Sequence, residues 1–471
     1  MHKNLFKFFE FDKDKRNLVL GIKEPGKPVN TNDKDLEEDL TILQKSVVNS
    51  ILSSQDYYLL WGPPGTGKTS KIIRSVVNAL YQKGQQIMLL AYTNRAVDEL
   101  CEAVESISEE MKNLYYRIGS KYSSGKDYAE NLFDNKIKSI STRKKFQEFI
   151  DKIPIVVGTV SSIQGKEGLF ALKKFDTLIV DEASQLLEPM LLSIIPYFNK
   201  FVLVGDHRQL PAVVKQKNTD STVKSEELKE IGLTNLSNSL FERLLQNAER
   251  KNWSWAIGML QEQGRMHSDI MKLPNDLFYE GKLKTINSIH RLENPLKLDH
   301  SKSEVQEVLA SNRLIFVPSQ INRNQVLSKI NIDEANKIKT IIENIIEIYN
   351  RNNLEINEKT IGIITTFRAQ ITKIKHELEN YGIDISKISI DTVERYQGSA
   401  RDIIIFSMSV NSVSRLKQII SKDDDGIDRK LNVVITRAKE QFILLGNENI
   451  IEKNDLYRSI KNNSSVLNLD I

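Results

Sequence analysis

Apolar runs of strand length alternate with helical or polar segments along most of this chain. The first series of runs is "YYLLW", "QIMLLAY", "IPIVVGTV", "FDTLIVDEA" and "KFVLVGD". After residue 250 a second series follows, made of "WAIGML", "RLIFVPS", "TIGIITTF", "ISIDTVERY", "DIIIFSMSV" and "QFILLGN". Apolar strands separated by helices are typical of parallel sheets that are covered on both faces. The pattern therefore predicts an α/β protein with two parallel-sheet domains.

The segments around these runs set the expected domain limits. We place the first domain at residues 39–249 and the second at 250–452. Residues 1–38 are polar and charged, and we expect the remnant of an accessory element or a loose N-terminal arm there. Residues 453–471 are expected to form a loosely held C-terminal tail. An insertion at about 105–153 is the candidate arm or stalk of the first domain.

Composition narrows the class of protein. A chain of 471 residues is too long for a single core. Cys101 is the only cysteine, so internal disulfides, cysteine zinc fingers and four-cysteine iron–sulfur clusters are excluded. The longest apolar runs are too short to span a membrane, and residues 1–20 are too charged for a secretory signal. We expect a cytoplasmic protein with no membrane partner.

The charge pattern leaves nucleic-acid binding open. The net charge of +4 is mild and proves no such binding by itself. Residues 115–152, within the insertion, are richer in Lys and Arg and carry interleaved tyrosines. Such a segment fits either a solvated helical surface or a basic arm along a nucleic-acid strand.

The stretch "GPPGTGKTS" lies between the run "YYLLW" and a segment with helical apolar spacing. From Gly62 to Thr69 it obeys G-x-x-x-x-G-K-[ST], the pattern of a phosphate-binding loop between a strand and a helix. The backbone N–H groups of such a loop point at a polyphosphate, and the helix N-terminus adds a favourable partial charge. We predict ATP and Mg²⁺ here, with Lys68 at the β and γ phosphates and the Thr69 hydroxyl on the metal ion. The predicted nucleotide-binding residues of the loop are Gly62, Pro63, Pro64, Gly65, Thr66, Gly67, Lys68, Thr69 and Ser70.

Two further apolar strands deliver polar side chains. "LIVDEASQL" places Asp181 and Glu182 after a strand, where parallel α/β sheets bind their ligands. Asp181 is predicted to hold the Mg²⁺, and Glu182 to orient or deprotonate the attacking water. "VLVGDHRQLPAVV" places Gln209 in the turn after another strand. Gln209 is predicted to sense the γ-phosphate or the attacking water; alternatively it faces solvent, and Gly205 and Asp206 only turn the chain.

Further motifs occur in a fixed order along roughly residues 39–450. They are "LQKSVV", "AYTNRAVDEL", "VVGTVSSI", "LQEQGRMHSDI", "IGIITTFRAQ", "DTVERYQGSARDIII" and "LNVVITRAKEQFILLGN". With these motifs the chain resembles the superfamily 1 helicases of the 5′→3′ class, in the branch that holds the nonsense-mediated-decay RNA helicase and the Okazaki-fragment nuclease-helicase. The resemblance implies a P-loop NTPase with two tandem RecA-like domains and an insertion in the first.

The resemblance also implies roles for single residues. Gln44 is expected at the adenine, and Gln397 and Gly398 at the nucleotide. Arg265 and Arg437 are expected at the γ-phosphate, where a bidentate cation stabilises the charge of the transferring phosphoryl group. Because both arginines lie in the second half of the chain, closure of a cleft between the domains would depend on an intact γ-phosphate.

Four residues are expected by resemblance to contact the nucleic-acid backbone: Thr93, Asn94, Thr159 and Thr392. Hydroxyls and amides that bind phosphates carry no sequence information, which suits a motor that steps along any sequence. Each of these residues can alternatively cap a helix.

The chain departs from the family pattern at two positions. Gly264 stands where the family has an aromatic residue before the arginine of "QGRMH", and Ala400 stands where it has a glutamate. Both changes fall near the base and the sugar of the nucleotide, not near its phosphates. We therefore hypothesise relaxed nucleobase selectivity with hydrolysis intact.

The leading interpretation is a monomeric, nucleic-acid-dependent ATPase that moves 5′→3′ on single-stranded or partly duplex nucleic acid and unwinds duplexes. The alternative is an NTPase that remodels protein–nucleic-acid complexes without unwinding. A ring-forming ATPase that acts on proteins is disfavoured because both arginines are supplied in cis, and a silent binding module conflicts with the full set of catalytic residues. No predicted contact reads a 2′-hydroxyl, so DNA is only slightly favoured over RNA.

Overall fold

A computed structural model of the chain describes residues 2–29, 39–120, 125, 128–286, 303–321, 329–420 and 426–469. Parts of the predicted arm (30–38), insertion (121–124, 126 and 127) and tail (470 and 471) lie outside these residues. The chain divides into two compact units, Met1–Gln261 and Glu262–Ile471. Each unit is built on a large parallel sheet, so the predicted α/β fold with two parallel-sheet domains is confirmed.

The first unit contains a seven-stranded parallel sheet with the order β3-β4-β2-β5-β6-β1-β7. Its strands are β1 (Tyr57–Trp61), β2 (Ile87–Ala91), β3 (Tyr115–Ile118), β4 (Ile155–Thr159), β5 (Thr177–Val180), β6 (Lys200–Gly205) and β7 (Ile257–Met259). Its helices are α1 (His2–Glu10), α2 (Lys13–Val19), α3 (Ile42–Ser53), α4 (Arg74–Gln82), α5 (Asn94–Glu105), α6 (Phe133–Lys136), α7 (Arg143–Lys152), α8 (Val160–Ile163), α9 (Glu167–Leu172), α10 (Glu188–Leu192), α11 (Asn218–Ser221), α12 (Glu226–Glu230) and α13 (Leu240–Arg250). The central strands are buried along their whole length, which explains their continuous apolar runs.

Two strands of this sheet correct the sequence analysis. β7 pairs in parallel with β1, so the prediction that "WAIGML" opens the second series of strands is wrong. The boundary between the units accordingly lies between Gln261 and Glu262, after the predicted limit at residue 249. β3 pairs with β4 at the edge of the sheet, so the predicted insertion contributes a strand to the first domain in addition to the segments that follow it.

The described part of the N-terminal segment is packed against the first unit, and the expectation of a loose arm is wrong there. Asn4 Nδ2 donates to the Pro189 carbonyl at 3.1 Å, and Lys15 Nζ donates to the Pro196 carbonyl at 2.7 Å. Phe11 packs edge-to-face on Tyr197 at 5.0 Å between ring centroids. Helices α1 and α2 therefore belong to the body of the first unit.

The second unit contains a six-stranded parallel sheet with the order β12-β11-β13-β14-β10-β15 and a small two-stranded sheet, β8-β9. Its strands are β8 (Glu262–Gln263), β9 (Lys284–Thr285), β10 (Leu314–Pro318), β11 (Ile361–Thr365), β12 (Ile388–Thr392), β13 (Arg401–Ser407), β14 (Ala438–Gly446) and β15 (Ser465–Val466). Its helices are α14 (Ser268–Phe278), α15 (Glu304–Ser311), α16 (Ile332–Arg351), α17 (Arg368–Asn380), α18 (Val393–Tyr396), α19 (Val413–Ile419), α20 (Arg429–Ile435), α21 (Glu448–Ile451) and α22 (Asp455–Asn462).

The longest helix of this unit shows how the sequence forms it. Asn331 caps α16 by accepting a hydrogen bond from the Glu334 amide at 2.9 Å. Ile338, Ile341 and Ile345 then recur at helical spacing and are buried in the core against the sheet. The apolar stripe thus fixes which face of the helix meets the strands.

The described residues of the predicted C-terminal tail are also packed. Helix α22 precedes β15, which pairs in parallel with β10 and completes the edge of the second sheet. Leu467 and Leu469 are buried in the core of the unit. The expectation of a loosely held tail is therefore wrong for these residues. Within the described chain, no helix combines the length and the apolar character that a membrane crossing requires.

Candidate nucleotide-binding site

The loop from Gly62 to Thr69 joins β1 to a π-helical turn, Lys68–Ile73, that continues into α4. Lys68 lies along the loop, and its Nζ donates a hydrogen bond to the Gly62 carbonyl at 2.7 Å. A side chain at Gly62 would collide with that of Lys68, and Gly67 has φ +77°, so both positions require glycine. The glycines therefore let the loop backbone approach the lysine side chain closely.

The threonine of the loop contacts the first carboxylate of "LIVDEASQL". Thr69 Oγ1 donates to Asp181 Oδ2 at 2.6 Å across 112 positions of sequence. Asp181 follows β5 and is 2% exposed, and this burial, together with the charge of Glu182, raises the pKa of its carboxyl to about 6. The Lys68 charge and the Thr69 hydrogen bond oppose that rise. A hydroxyl and a carboxylate side by side are oxygen ligands of the kind that Mg²⁺ prefers.

Glu182 lies next to this pair in an uncommon backbone conformation. Its φ is +52°, in the left-handed region that residues other than glycine rarely adopt. Its Oε2 accepts a hydrogen bond from Gln185 Nε2 at 3.0 Å, a contact that the sequence analysis missed. Backbone strain of this kind concentrates at functional sites, because the surrounding structure must maintain it.

Gln44 lies against the phosphate loop. It is the third residue of α3, and Gln44 and Thr41 form a reciprocal capping box at the start of the helix. Its Nε2 donates to the Thr66 carbonyl at 3.3 Å. The structure thus brings Gln44 to the loop, while its predicted contact with adenine stays a prediction.

Gln209 does not face solvent, so that alternative is wrong. Gln209 is 4% exposed, and its Nε2 donates to Asp206 Oδ2 at 2.6 Å. The other oxygen of Asp206 accepts from Trp61 Nε1 at 2.9 Å, which ties the turn after β6 to the residue before the phosphate loop. The sequence analysis noted Asp206 only as a turn residue and missed Trp61, since no spacing rule links positions that far apart.

The predicted site residues of the second unit lie close together. Arg265 Nη1 donates to the Thr436 carbonyl at 3.4 Å, and the buried Arg437 donates from Nη2 to Thr436 Oγ1 at 3.1 Å. Arg437 Nη1 also donates to the Ser399 carbonyl at 3.5 Å, next to Gly398, whose φ is +80°. Both arginines and the "QG" turn therefore converge within the second unit.

Two of the four predicted nucleic-acid contacts act as helix caps. Thr93 Oγ1 accepts from the Ala96 amide at 3.1 Å, and Thr159 Oγ1 accepts from the Ser162 amide at 3.1 Å. Thr93 and Thr159 therefore do cap helices, as the alternative interpretation predicted. Asn94 is the first residue of the helix that Thr93 caps. A capping hydroxyl still carries a hydrogen that it can donate to a phosphate.

Thr392 differs from the other two threonines. It starts α18 without capping it by its side chain, and it lines a cavity of about 560 Å³ at the carboxyl ends of β11 and β12. The residues that line this cavity are Lys329, Thr366, Phe367, Arg368, Ala369, Thr392, Glu394 and Arg395. Three cations and one acid therefore surround it, and the sequence analysis had identified only Thr392 among them.

Comparisons with known proteins show which families and relatives this chain resembles. A family described as AAA domain matches residues 39–145 and 121–217, and a second family with the same description matches residues 236–449. The DNA replication ATP-dependent helicase/nuclease of Xenopus laevis is 31% identical over 86% of this chain and 37% of its own length. An ATP-dependent helicase of Methanocaldococcus jannaschii is 26% identical over 94% of this chain and 73% of its own length.

The share of each relative's length that this chain spans differs from one relative to the next. The chain spans little more than a third of the vertebrate helicase/nucleases that it matches. Among solved structures, the Arterivirus nonstructural protein 10 (helicase) in complex with DNA is 13% identical over 86% of this chain and 63% of that chain, with a TM-score of 0.42.

Proposed function

We propose that this chain is an ATP-dependent helicase acting on nucleic acid. The chain belongs to the superfamily 1 helicases, in the branch that contains the DNA replication helicase/nucleases. One observation carries the proposal: Thr69 donates to Asp181 while Lys68 lies along the same loop. This arrangement unites the hydroxyl, carboxylate and ammonium that a nucleotide-driven motor uses on phosphate and metal.

We assign roles to the first-unit residues on this basis. Lys68 and the loop amides would bind the β and γ phosphates, and Gln44 would contact the base. Thr69 and Asp181 would hold Mg²⁺, which when bound supplies positive charge that neutralises the phosphates. Glu182, beside the metal ligands, would orient the attacking water and accept its proton.

The second unit would supply cations for the transition state. Arg265 and Arg437 are held at the same turn through Thr436, so their guanidinium groups would act together on the γ-phosphate. Gln397 supports a nucleotide ligand in this region, because its Nε2 is buried and has no hydrogen-bond partner among the described residues. A bound nucleotide would satisfy that donor.

The substrate is proposed to be single-stranded or partly duplex nucleic acid, with DNA favoured over RNA. The cavity at Thr392 supports a nucleic-acid substrate, since Lys329, Arg368 and Arg395 can pair with phosphates. An aromatic side chain, Phe367, lies among them, with Lys329 Nζ 5.9 Å from its ring centroid. Thr93, Asn94 and Thr159 would add sequence-independent contacts. DNA is favoured because the similar helicase/nucleases are named for DNA replication. The proposed direction is 5′→3′, and the chain is proposed to act as a monomer in the cytoplasm.

Steady-state ATP hydrolysis with matched DNA and RNA oligonucleotides tests the proposal. We expect single strands to stimulate hydrolysis, with DNA the better activator, and we expect GTP to be hydrolysed as well, because Gly264 lacks an aromatic ring. Lys68→Ala should reduce kcat at least a hundredfold, because the loss of one electrostatic contact to the transition state typically lowers the rate by about that factor or more. Lys83→Ala, which removes an exposed lysine at the end of α4, should leave kcat unchanged.

Unwinding separates the helicase from a translocase that only remodels protein–nucleic-acid complexes. Duplexes with a 5′ or a 3′ single-stranded extension should be separated only when the extension is 5′. Stimulated hydrolysis without strand separation would favour the remodelling enzyme instead. Hydrolysis by Lys68→Ala at the wild-type rate would refute the site.

A further inference from the structure

Trp61 is the last residue of β1 and directly precedes the phosphate loop. The side chain is 6% exposed, and its ring packs on His207 with 4.6 Å between ring centroids. Its Nε1 donates to Asp206 Oδ1 at 2.9 Å, so the one polar atom of the indole is satisfied. Both the ring and the Nε1 atom of Trp61 therefore contact the turn that follows β6.

Asp206 is fully buried and connects three segments of the first unit. Its Oδ1 accepts from Trp61, and its Oδ2 accepts from Gln209 Nε2 at 2.6 Å. Its backbone N–H donates to Ser184 Oγ at 3.3 Å, in the acidic turn that contains Glu182. The carboxylate therefore links the strand before the phosphate loop to the predicted sensor Gln209.

The indole N–H and the Arg208 amide, which donates to Oδ1 at 3.1 Å from within the turn, together set the orientation of this carboxylate. If Asp206 rotated about its side-chain bonds, Oδ1 would leave the Trp61 N–H and Oδ2 would carry the Gln209 amide with it. Trp61 is the donor that ties this oxygen to β1, and a buried carboxylate oxygen that loses a donor is less firmly held. Removal of the Trp61 N–H should therefore loosen Gln209 without any change in the phosphate loop itself.

We propose that Trp61 is a positioning residue for ATP hydrolysis that acts on Gln209 through Asp206. This inference rests on the proposed function, because it assigns a role within the same nucleotide site. It predicts that the indole N–H, and not only the bulk of the ring, controls the rate at which bound ATP is hydrolysed.

The test compares full-length variants in steady-state hydrolysis of Mg²⁺–ATP with oligo(dT). Trp61→Phe keeps an aromatic ring and removes the N–H, and we expect kcat to fall about fivefold or more. The KM for ATP and the affinity for a fluorescent ADP analogue should stay within about twofold, since the loop contacts remain. Trp255→Phe is the matched control, because it removes an indole N–H that donates to the Pro25 carbonyl at 3.3 Å, and its kcat should equal that of the wild type.

A double-mutant cycle shows whether Trp61 acts through Gln209. Trp61→Phe combined with Gln209→Ala should have the same kcat as Gln209→Ala alone, because residues of one unit have non-additive effects. The proposal would be overturned if the effects of the two substitutions on kcat multiply. It would also be overturned if Trp61→Phe leaves kcat unchanged or loses binding of the ADP analogue. If no single strand stimulates ATP hydrolysis by the wild type, the proposed function is wrong instead. The double-mutant cycle measured on the unstimulated rate of hydrolysis then still decides the role of Trp61.

Discussion

Glu334 is a fully buried carboxyl group at the centre of a hydrogen-bond network in the second unit. Its oxygens accept from Ser319 Oγ at 3.2 Å, Ser407 Oγ at 2.6 Å and the Ser409 amide at 2.8 Å. Burial outweighs these donors and raises the pKa of Glu334 to about 7, and the nearby charge of Asp333 acts in the same direction. The network joins the ends of β10 and β13, close to the cavity at Thr392.

The raised pKa makes stability depend on pH. Between about pH 4.5 and 7 the folded state holds a proton on Glu334 that the unfolded state has lost, so the free energy of unfolding falls as pH rises through this range. Glu334→Gln removes the titration. Relative to wild type, the variant should gain on the order of 2 kcal/mol between pH 5 and pH 8. Urea denaturation of both proteins at the two pH values measures this change.

Glu343→Gln, on the same helix, is the matched control. Glu343 is partly exposed and pairs with Lys339 at 3.4 Å, so its substitution should shift the urea midpoint little at either pH. If the difference between Glu334→Gln and wild type is the same at pH 5 and pH 8, the assignment of the raised pKa to Glu334 is wrong.

Sequence patterns identify residues whose chemistry is local, and they miss residues whose role depends on a distant partner. Lys68 and Thr69 could be predicted because the loop that contains them has a fixed spacing. Asp181 could be predicted because a strand end is where ligands bind. The hydrogen bond from Trp61 to Asp206 left no such signal, since it joins positions 145 apart and either residue is ordinary where it stands.

At the scale of elements, one buried arginine helps to hold the N-terminal helices to the rest of the first unit. Arg243 of α13 is fully buried and makes two hydrogen bonds to Glu188, from Nε at 2.7 Å and from Nη2 at 2.8 Å. It also donates to the carbonyls of Val19 and Leu20, at 2.9 and 3.0 Å, at the end of α2. The fork of the guanidinium group thus joins α2, α10 and α13.

Arg243→Met should therefore detach the N-terminal helices and destabilise the first unit by about 3 kcal/mol or more, because Glu188 would remain buried without its partner. Limited proteolysis should cleave the variant within residues 2–29 faster than the wild type. Arg250→Met removes an exposed arginine of the same helix and should change neither the cleavage rate nor the stability appreciably. Equal protection of the N-terminal helices in both variants would contradict the anchoring role of Arg243.

Most strands could be predicted because strands buried on both faces are continuously apolar. β3 was missed because Arg117 interrupts "YYRI", although the structure buries that side chain in an ion pair with Asp98. A loose arm was one of the two alternatives for the segment that contains α1 and α2, because its composition is polar. One residue that holds it, Arg243, lies more than 220 positions away. β7 was assigned to the wrong sheet, because a run of apolar residues does not specify which strand it pairs with.

At the scale of the whole molecule, the predicted catalytic residues are divided between two compact units. Lys68, Thr69 and Asp181 form their contacts within the first unit. Arg265 and Arg437 form theirs within the second. The hydrogen bonds named here lie inside one unit or the other.

This division makes Arg265→Ala a decisive variant. A fluorescent ADP analogue should bind with affinity within about threefold of wild type, because the contacts of the phosphate loop are unaltered. The kcat for ATP should fall about a thousandfold, the loss typical of a missing arginine at a transferring phosphoryl group. Arg458→Ala, which removes an exposed arginine that pairs with Asp455 in the second unit, is the control and should retain full kcat.

The proposed role of Arg265 predicts a fall in kcat without a fall in nucleotide affinity. If Arg265 has its proposed role, such a fall means that the arginine acts on the nucleotide in the transition state and not on its binding. An unchanged melting temperature in Arg265→Ala would exclude unfolding of the second unit as the cause. Full hydrolysis by that variant would instead refute the proposed role of Arg265 at the γ-phosphate.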